Sequence, residues 1–229
     1  DLYVPVNVGG IARWHVRLAS SAAPGAYAGS PVNTGVARYG AGRVLEFDGD
    51  GRRDLLAQGP GSPATWFVRQ SNGTGAFLTA INTGLTTATV PAPLVTDVDG
   101  DGLDDLVYAR DYLVHIRRNT GAGFGPELTT SVGTTINGGA TLLPLLAGAG
   151  GAPDFDGDGR QDLLIMRGTL SLSGPPWYYE GFLSTGTGFQ SLFTTPAAFD
   201  AVALDLNGDG LTDIAYRDRV VGWQTRRSV

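Results

Sequence analysis

"TDVDGDGLDDLVY", residues 96–108, places five aspartates within nine positions and then continues as an apolar segment. Neighbouring carboxylates repel one another by roughly 1 kcal/mol per pair in water, and by more where solvent is excluded. A bound cation would remove this repulsion, so the stretch predicts a metal-binding loop that leads into a β-strand. Asp97, Asp99, Asp101 and Asp105 are the candidate ligands, whereas Asp104 occupies a position that varies between copies of this pattern and is set aside.

The same pattern occurs four times in the chain. It also reads "EFDGDGRRDLL" at 46–56, "DFDGDGRQDLL" at 154–164 and "DLNGDGLTDIA" at 205–215. Successive loops begin 51, 57 and 51 residues apart. A period of about 50 residues is typical of propeller blades or solenoid units.

The segments between the loops have the composition of short strands. An apolar run follows each loop, then an alternating segment such as "WFVR" at 66–69, a glycine turn such as "GAF" at 75–77, and a segment such as "NTGL" at 82–85. Four short antiparallel strands form one blade, whereas a solenoid needs shorter or more helical repeats. We predict an all-β fold, a β-propeller of four-stranded antiparallel blades with about four to five blades in this chain.

We predict a single repeat domain, 1–229, with an incomplete blade at each end. Unpaired strand edges are prone to association, so three hypotheses stay open. The chain is part of a larger propeller, or closes imperfectly as about five blades, or completes itself with another copy. The predicted boundaries are 1–36 for the first incomplete blade, 43–82, 91–133 and 143–193 for the complete blades, and 199–229 for the last incomplete blade.

The composition excludes several classes of protein. Cysteine is absent, so disulfides and thiolate metal sites are excluded, and no apolar run reaches the roughly 18 residues of a membrane span. Of the 22 acidic residues, 15 occupy the repeated acidic positions of the four loops, so the net charge of −6 belongs mainly to the loops. We predict no membrane span and no nucleic-acid partner. The opening "DLYV" matches the end of a repeat motif, and we expect an excised or processed piece.

The loop pattern DxDGDGxxD has the chemistry of a calcium site. Side chains at positions 1, 3, 5 and 9 can converge, position 7 offers its backbone carbonyl, and glycines at 4 and 6 permit positive φ. Calcium accepts six to eight oxygens in irregular geometry, whereas magnesium requires octahedra and zinc prefers His or Cys. Position 12 is never Glu, which excludes a helix-flanked calcium loop. Polar turns without a metal are the alternative, but a turn needs only one or two such residues.

We therefore predict about four Ca²⁺ sites, each with ligands from one loop. Glu46 lengthens the first ligand of its loop and Asn207 removes a charge, so we expect the tightest binding at the loops of Asp97 and Asp154. The predicted ligands are Glu46, Asp48, Asp50, the Arg52 carbonyl and Asp54; Asp97, Asp99, Asp101, the Leu103 carbonyl and Asp105; Asp154, Asp156, Asp158, the Arg160 carbonyl and Asp162; and Asp205, Asn207, Asp209, the Leu211 carbonyl and Asp213.

The loops and the glycine–aromatic turns between them resemble the FG-GAP/VCBS repeats of integrin-α-like β-propellers, over nearly the whole chain. The style of the repeats is similar to the propeller regions of large secreted bacterial RHS or toxin-complex proteins. The resemblance implies calcium bound between the first and second strands of a blade. It also implies an extracellular or cell-surface bacterial location, and a protein partner or the remainder of a larger chain.

No catalytic constellation interrupts the repeat. His15 and His115 occupy the same repeat position, which favours a structural role, and the GxSxG, HExxH and phosphate-binding GxxxxGK[ST] motifs are absent. We predict a calcium-binding scaffold or protein-interaction module that is not an enzyme. A carbohydrate-binding, lectin-like propeller is the alternative, and an accessory domain of a polysaccharide-active enzyme is the third interpretation.

The carbohydrate alternative depends on aromatic residues. Four tryptophans occupy related positions in the third strand of a repeat, where they either pack between blades or form platforms for sugars. The insertion "GTLSLSGPPWYYEGF" at 168–182 departs from the repeat, and such loops often bind ligands. Its candidate ligand-binding residues are Trp177, Tyr178 and Tyr179, and the four tryptophans are Trp14, Trp66, Trp177 and Trp223.

Overall fold

The computed structural model describes residues 2–19, 26–90, 93–134, 152–168, 177–195, 198–218 and 220–228. All regular elements in these ranges are β-strands, and neighbouring strands form five sheets. The Cα positions group the chain into two compact units. The first comprises Asp1–Val95, Gly102–Asp104 and Asn119–Gly125, and the second comprises Thr96–Asp101, Asp105–Arg118 and Pro126–Val229.

Each sheet contains strands that follow one another along the chain, which is the order expected of propeller blades. Two sheets have four described strands and three sheets have three. In chain order the sheets are β1 (Leu2–Val8), β2 (Ile11–Ala19) and β3 (Tyr27–Ala37); β4 (Gly42–Leu45), β5 (Asp54–Gln58), β6 (Thr65–Arg69) and β7 (Ile81–Thr86); β8 (Leu94–Thr96), β9 (Asp105–Arg110), β10 (Leu113–Asn119) and β11 (Phe124–Gly133); β12 (Leu163–Gly168), β13 (Trp177–Ser184) and β14 (Phe189–Thr194); and β15 (Ala198–Leu204), β16 (Asp213–Asp218) and β17 (Gly222–Arg226).

The acidic loops connect the first and second strands of their sheets. Residues 46–53 join β4 to β5, residues 97–104 join β8 to β9, and residues 205–212 join β15 to β16. This confirms the predicted place of the loop in three repeats. The strand predicted before the third loop, which begins at Asp154, lies outside the described residues, and the predicted blade boundaries and single domain stay predictions.

The strand after each loop is buried on both faces in three of the sheets. Residues 54–57, 105–108 and 162–165 are all buried, although successive side chains of a strand point to opposite faces. Packing on both sides explains why these segments are continuous apolar runs and do not alternate. In β16 burial is complete only at Asp213 and Ile214.

Each unit has an aromatic core. In the first unit Trp14 packs with Leu55 and Ala57, and the buried Trp66 donates its indole N–H to the Val90 carbonyl at 2.9 Å. These contacts agree with the packing interpretation of Trp14 and Trp66. Trp223 differs, because 58% of it is exposed. In the second unit the core is Phe155, Leu164, Tyr179, Phe193, Ala201 and Ile214.

Among the described residues, no helix is present that is long and apolar enough to cross a lipid bilayer.

Candidate metal centres

The glycines of the four loops have the same backbone conformation. Both glycines of every loop have φ between 75° and 89°, a left-handed region that disfavours residues with a Cβ. The repeated conformation explains why the fourth and sixth positions are always glycine. The eight residues are Gly49, Gly51, Gly100, Gly102, Gly157, Gly159, Gly208 and Gly210.

Within each loop, side-chain oxygens accept hydrogen bonds from backbone N–H groups a few residues further along the chain. In the first loop Asp48 Oδ1 accepts from the Asp50 N–H at 3.2 Å, and Asp50 Oδ1 accepts from the Arg52 N–H at 2.8 Å. The loops that begin at Asp154 and Asp205 have the same two bonds, with lengths of 3.3 and 2.8 Å and of 3.2 and 2.8 Å. These turns curl the chain so that alternate carboxylates face one point.

Three loops bring three carboxylates together. In each group one oxygen from every residue lies within 4.8 Å of the others. Oxygens that ligate one calcium ion at about 2.3–2.6 Å lie at such separations from one another. The groups are Glu46, Asp48 and Asp50; Asp97, Asp99 and Asp101; and Asp154, Asp156 and Asp162.

Two oxygens in these groups lack a donor. Glu46 Oε1 and Asp99 Oδ1 are buried and accept no hydrogen bond. A buried acceptor without a partner costs about 1–3 kcal/mol. Burial and the nearby charge of Asp101 raise the pKa of Asp99, while its other oxygen lies 3.3 Å from Arg118 Nε. Both free oxygens are therefore well placed to ligate a cation.

The aspartate at position 9 is buried in all four loops, with at most 1% exposure. In three loops each of its oxygens accepts a backbone N–H. The Phe47 and Ser71 N–H groups donate to Asp54 at 3.1 and 2.7 Å, and the same arrangement holds at Asp162 and Asp213. At Asp105, Oδ2 accepts from the Val98 N–H at 3.1 Å. These residues fasten the start of the loop to the end of the third strand.

Burial raises the pKa of two of these aspartates. The pKa of Asp54 rises to about 6 and that of Asp162 to about 7, because desolvation outweighs the bonds from backbone N–H groups and neighbouring carboxylates add to the rise. A cation in the loop would favour the ionised form of both groups.

The residues at position 7, whose backbone carbonyls are candidate ligands, are arginine in two loops and leucine in the other two. Arg52 and Arg160 form ion pairs with Asp50 and Asp158 of their own loops. The Arg160 Nε also donates to the Ser184 carbonyl at 3.1 Å. The other two residues, Leu103 and Leu211, are half-buried.

The fourth loop differs at position 3. Asn207 Nδ2 donates to Asp209 Oδ2 at 2.7 Å, so the amide satisfies a carboxylate that would otherwise face the ion. Asp205 accepts from the N–H groups of Gly210 and Gly208, which lower its pKa. Residues 205–210 are all exposed.

Position 8 connects consecutive loops, which sequence reasoning missed when it set Asp104 aside as variable. The Asp104 N–H donates to the Glu46 carbonyl at 2.8 Å, and Asp104 Oδ2 accepts from the Glu46 N–H at 2.6 Å. Gln161 forms the same pair of bonds with Asp97, and Thr212 with Asp154. In these three loops position 8 is Asp, Gln or Thr, and each can accept through its side chain, whereas position 8 of the first loop is Arg53.

The last residues of β10 and β13 add a second connection. Asn119 Nδ2 donates to the Phe47 carbonyl at 2.9 Å, and Ser184 Oγ donates to the Val98 carbonyl at 2.6 Å. Each carbonyl belongs to position 2 of the preceding loop. Ser or Asn recurs two residues after the Arg-ending segments 66–69, 114–117 and 223–226, and this recurrence was the available signal.

The aromatic candidates at 177–179 do not form one surface. Tyr179 is 2% exposed and belongs to the core of the second unit, so its ring has no face for a sugar, and its place among the ligand-binding candidates is corrected. Tyr178 is half-buried, and the side chain of Trp177 lies outside the described residues.

A family model described as "FG-GAP-like repeat" matches residues 47–108 and 154–216, more than half of the chain. The chain belongs to the FG-GAP-like repeat family. Both matches contain two acidic loops or the greater part of them. No curated protein sequence matches this FG-GAP-like chain.

Two solved structures are similar to this FG-GAP-like chain. A chain of the Photorhabdus luminescens Tc holotoxin pore matches 93% of it with 19% identity and a TM-score of 0.51. The Vibrio cholerae biofilm matrix protein Bap1 matches 77% with 21% identity and a TM-score of 0.35. The chain spans 10% of the toxin chain and 27% of Bap1. The first match shows the fold, which is all-β and of the β-propeller type.

Proposed function

We propose that this chain is a calcium-stabilised scaffold and protein-interaction module of a larger extracellular protein, with no catalytic role. The observation that carries the calcium assignment is the pair of buried, unpartnered oxygens on Glu46 and Asp99, each inside a group of three converging carboxylates. A hard cation with irregular coordination matches this all-oxygen donor set.

The ligand set proposed for each loop has two parts. Positions 1, 3 and 5 supply side-chain oxygens. The first two loops bring the carboxylates of these three positions together, and the loop of Asp154 brings together those of positions 1, 3 and 9. Position 9 supplies a buried carboxylate whose oxygens accept backbone N–H groups and still have lone pairs for a metal. The position 7 carbonyl would complete the set. When bound, calcium would neutralise the clustered charge and fasten the first strand to the second.

The non-catalytic proposal is supported by the other buried polar cluster of the second unit. His115 is 4% exposed, its Nε2 lies 2.9 Å from the Arg110 carbonyl oxygen, and its Nδ1 lies 3.3 Å from Glu127 Oε1. The Tyr108 hydroxyl donates to Glu127 Oε2 at 2.5 Å. These groups satisfy one another inside the sheet, which is the arrangement of a structural network.

The extracellular location and the larger-chain context rest on the family and on the relatives. One relative is named as a holotoxin pore, and the chain spans only 10% of that relative. A protein partner, or the remainder of a longer chain, is therefore the proposed context.

Removing calcium tests the proposal. A site filled at 100 times its Kd adds about 2.7 kcal/mol to the free energy of unfolding, or roughly 5–10 °C in Tm. We expect calcium to raise Tm above its value in excess chelator by at least that much, and magnesium to raise it less. Equal melting in calcium and in chelator would contradict the calcium assignment.

A matched pair of variants locates the sites. Replacing Asp97 and Asp99 together by Asn should remove one site from the calcium stoichiometry measured by calorimetry. Replacing Asp111 by Asn is the control, because this exposed acid lies outside the loops. If the control lowers the stoichiometry as much as the double variant, the effect is one of net charge.

Carbohydrate binding is the second candidate function, and the exposure of Trp223 favours it. A large aromatic face in solvent is the usual platform for a pyranose ring. A glycan array measured in the presence of calcium tests this role. Saturable binding that is lost in Trp223→Ala supports it, and the absence of binding leaves the scaffold role as the proposed function.

A further inference from the structure

A cleft of about 390 Å³ lies between the first two sheets of the first unit. It is lined by Ile11 and Arg13 of β2, by Gln58 at the end of β5, by Phe67 and Arg69 of β6, and by Tyr39. Its volume falls within the range of sites that hold a small ligand or an anchoring side chain.

The cleft is separate from the acidic loops. Strand β5 begins at Asp54, which belongs to the first loop, and ends at Gln58, which lines the cleft. Four residues along a strand span about 13 Å. A ligand here and a cation in the loop would occupy opposite ends of the same strand.

The polar side chains of the cleft are mostly donors. Arg13 and Arg69 both line it, no Asp or Glu does, and in the described part of the chain neither arginine has an ion-pair partner. Arg13 Nη1 donates to the Gly35 carbonyl at 2.9 Å, which holds this guanidinium in place and leaves its other N–H groups for a ligand. In a protein of net charge −6, this is a concentration of positive charge.

The walls of the cleft are apolar and shaped by glycine. A Cβ on Gly59 would lie 2.6 Å from the Phe67 ring, so the ring can occupy its position only because residue 59 has no side chain. Ile11 and Tyr39 stand at the rim, 49% and 57% exposed. A ligand that fills the cleft therefore meets an aromatic ring and aliphatic groups beside the two guanidinium groups.

We propose that this cleft binds an acidic side chain of a partner protein, presented by a peptide segment in which an apolar residue adjoins an Asp or Glu. The carboxylate pairs with Arg13 and Arg69, and the apolar neighbour packs on Phe67. A sugar fits less well, because both guanidinium groups carry positive charge and only donate, and a carboxylate pairs with them more strongly than neutral hydroxyls do. A free small acid would leave the exposed rim uncovered, whereas a peptide continues over Ile11 and Tyr39.

Titration with blocked peptides tests the proposal on the full calcium-loaded chain. The probes are acetyl-Ala-Phe-Glu-Ala-amide, its Gln counterpart, and 3-phenylpropionate as a free acid. We expect saturable binding of the Glu peptide by calorimetry, with shifts of the arginine side-chain N–H signals in NMR spectra. The Gln peptide should bind about tenfold more weakly or worse, because hydrogen bonds between charged groups are lost.

Single substitutions identify the residues of the cleft that bind the Glu peptide. Arg69→Gln should weaken the Glu peptide about tenfold or more. The Arg69 side chain makes no hydrogen bond or ion pair within the described residues, so this change should leave folding intact. Arg13→Gln should act similarly, and Gly59→Ala should weaken binding by displacing Phe67. Arg17→Gln, an exposed change on the same strand as Arg13 but outside the cleft, should change affinity less than twofold.

Three results would overturn the proposal: equal binding of the Glu and Gln peptides, no binding of either, or binding of 3-phenylpropionate without the Glu peptide. The last would assign the cleft to a free acid. The proposal extends the interaction role of the module and does not depend on calcium chemistry. Melting with chelator tests the metal and peptide binding tests the cleft, so either can fail alone.

Discussion

The acidic loops at 154–162 and 205–213 share their glycines and turns but differ in their surroundings. Phe155, which follows the first ligand of one loop, is 2% exposed, whereas Leu206 at the same position of the other is 41% exposed. Position 3 is Asp156 in one loop and Asn207 in the other, and the asparagine amide already satisfies Asp209. The same loop pattern therefore produces a partly buried, fully acidic site and an exposed, partly neutralised one.

The largest expected difference in stability concerns the aspartates at position 9 of the two loops. Asp162 accepts from the buried N–H groups of Phe155 and Ser184, both at 2.7 Å. Asp162→Ala would leave both without a partner, at about 1–3 kcal/mol each. We expect a loss of about 2–6 kcal/mol in the free energy of unfolding, measured by urea denaturation in excess chelator so that no metal contributes.

Asp213→Ala is the matched variant. Asp213 accepts from the Leu206 and Ser228 N–H groups at 3.0 and 2.8 Å, but these groups are only partly buried and water can replace the lost acceptor. We expect a loss of about 1–2 kcal/mol. If the two variants lose equal stability, the difference in burial between the loops has no energetic consequence.

Much of this architecture could be predicted from the sequence because it is local. The nine-position pattern predicts where the glycines need positive φ, and Gly157 and Gly208 have nearly the same φ, 75° and 78°. The place of the loop before a buried strand follows from the apolar run behind it. Such features depend on residues within a few positions of one another.

The contacts between loops could not be predicted in the same way. Thr212 and Asp154 are 58 residues apart, and their bonding depends on how neighbouring sheets are offset. Exposure of the tryptophans is equally non-local, since Trp66 is fully buried and Trp223 is 58% exposed within similar strand motifs. What covers a side chain is decided by the next sheet, which no motif specifies.

Exchanging the residues at position 3 should reverse the ranking of the two sites. Asn207→Asp adds a charge and removes the amide that satisfies Asp209, so we expect calcium to bind its loop about tenfold more tightly, about 1.4 kcal/mol. Asp156→Asn should weaken the other loop by a similar factor. Calorimetric titration of both variants beside the parent measures the change. Unchanged affinities would mean that exposure, and not ligand charge, separates the sites.

The smallest expected effect tests whether the two loops are independent of each other. Thr212 belongs to the exposed loop, yet its Oγ1 accepts from the Asp154 N–H at 3.0 Å and its own N–H donates to the Asp154 carbonyl at 2.8 Å. Thr212→Val keeps the shape and the backbone bond but removes the acceptor, which should cost about 1 kcal/mol. The cost should appear as weaker calcium binding at the loop of Asp154, because the first ligand loses its support.

Thr225→Val is the control, because Thr225 is exposed on the neighbouring β17. It should change neither stability nor calcium affinity. If Thr212→Val weakens calcium only at its own loop, position 8 acts within a loop and the link to Asp154 is without effect. If it weakens the loop of Asp154, the exposed loop stabilises the buried one. Calcium at either site would then favour the conformation that the other requires, since both share one hydrogen-bonded contact.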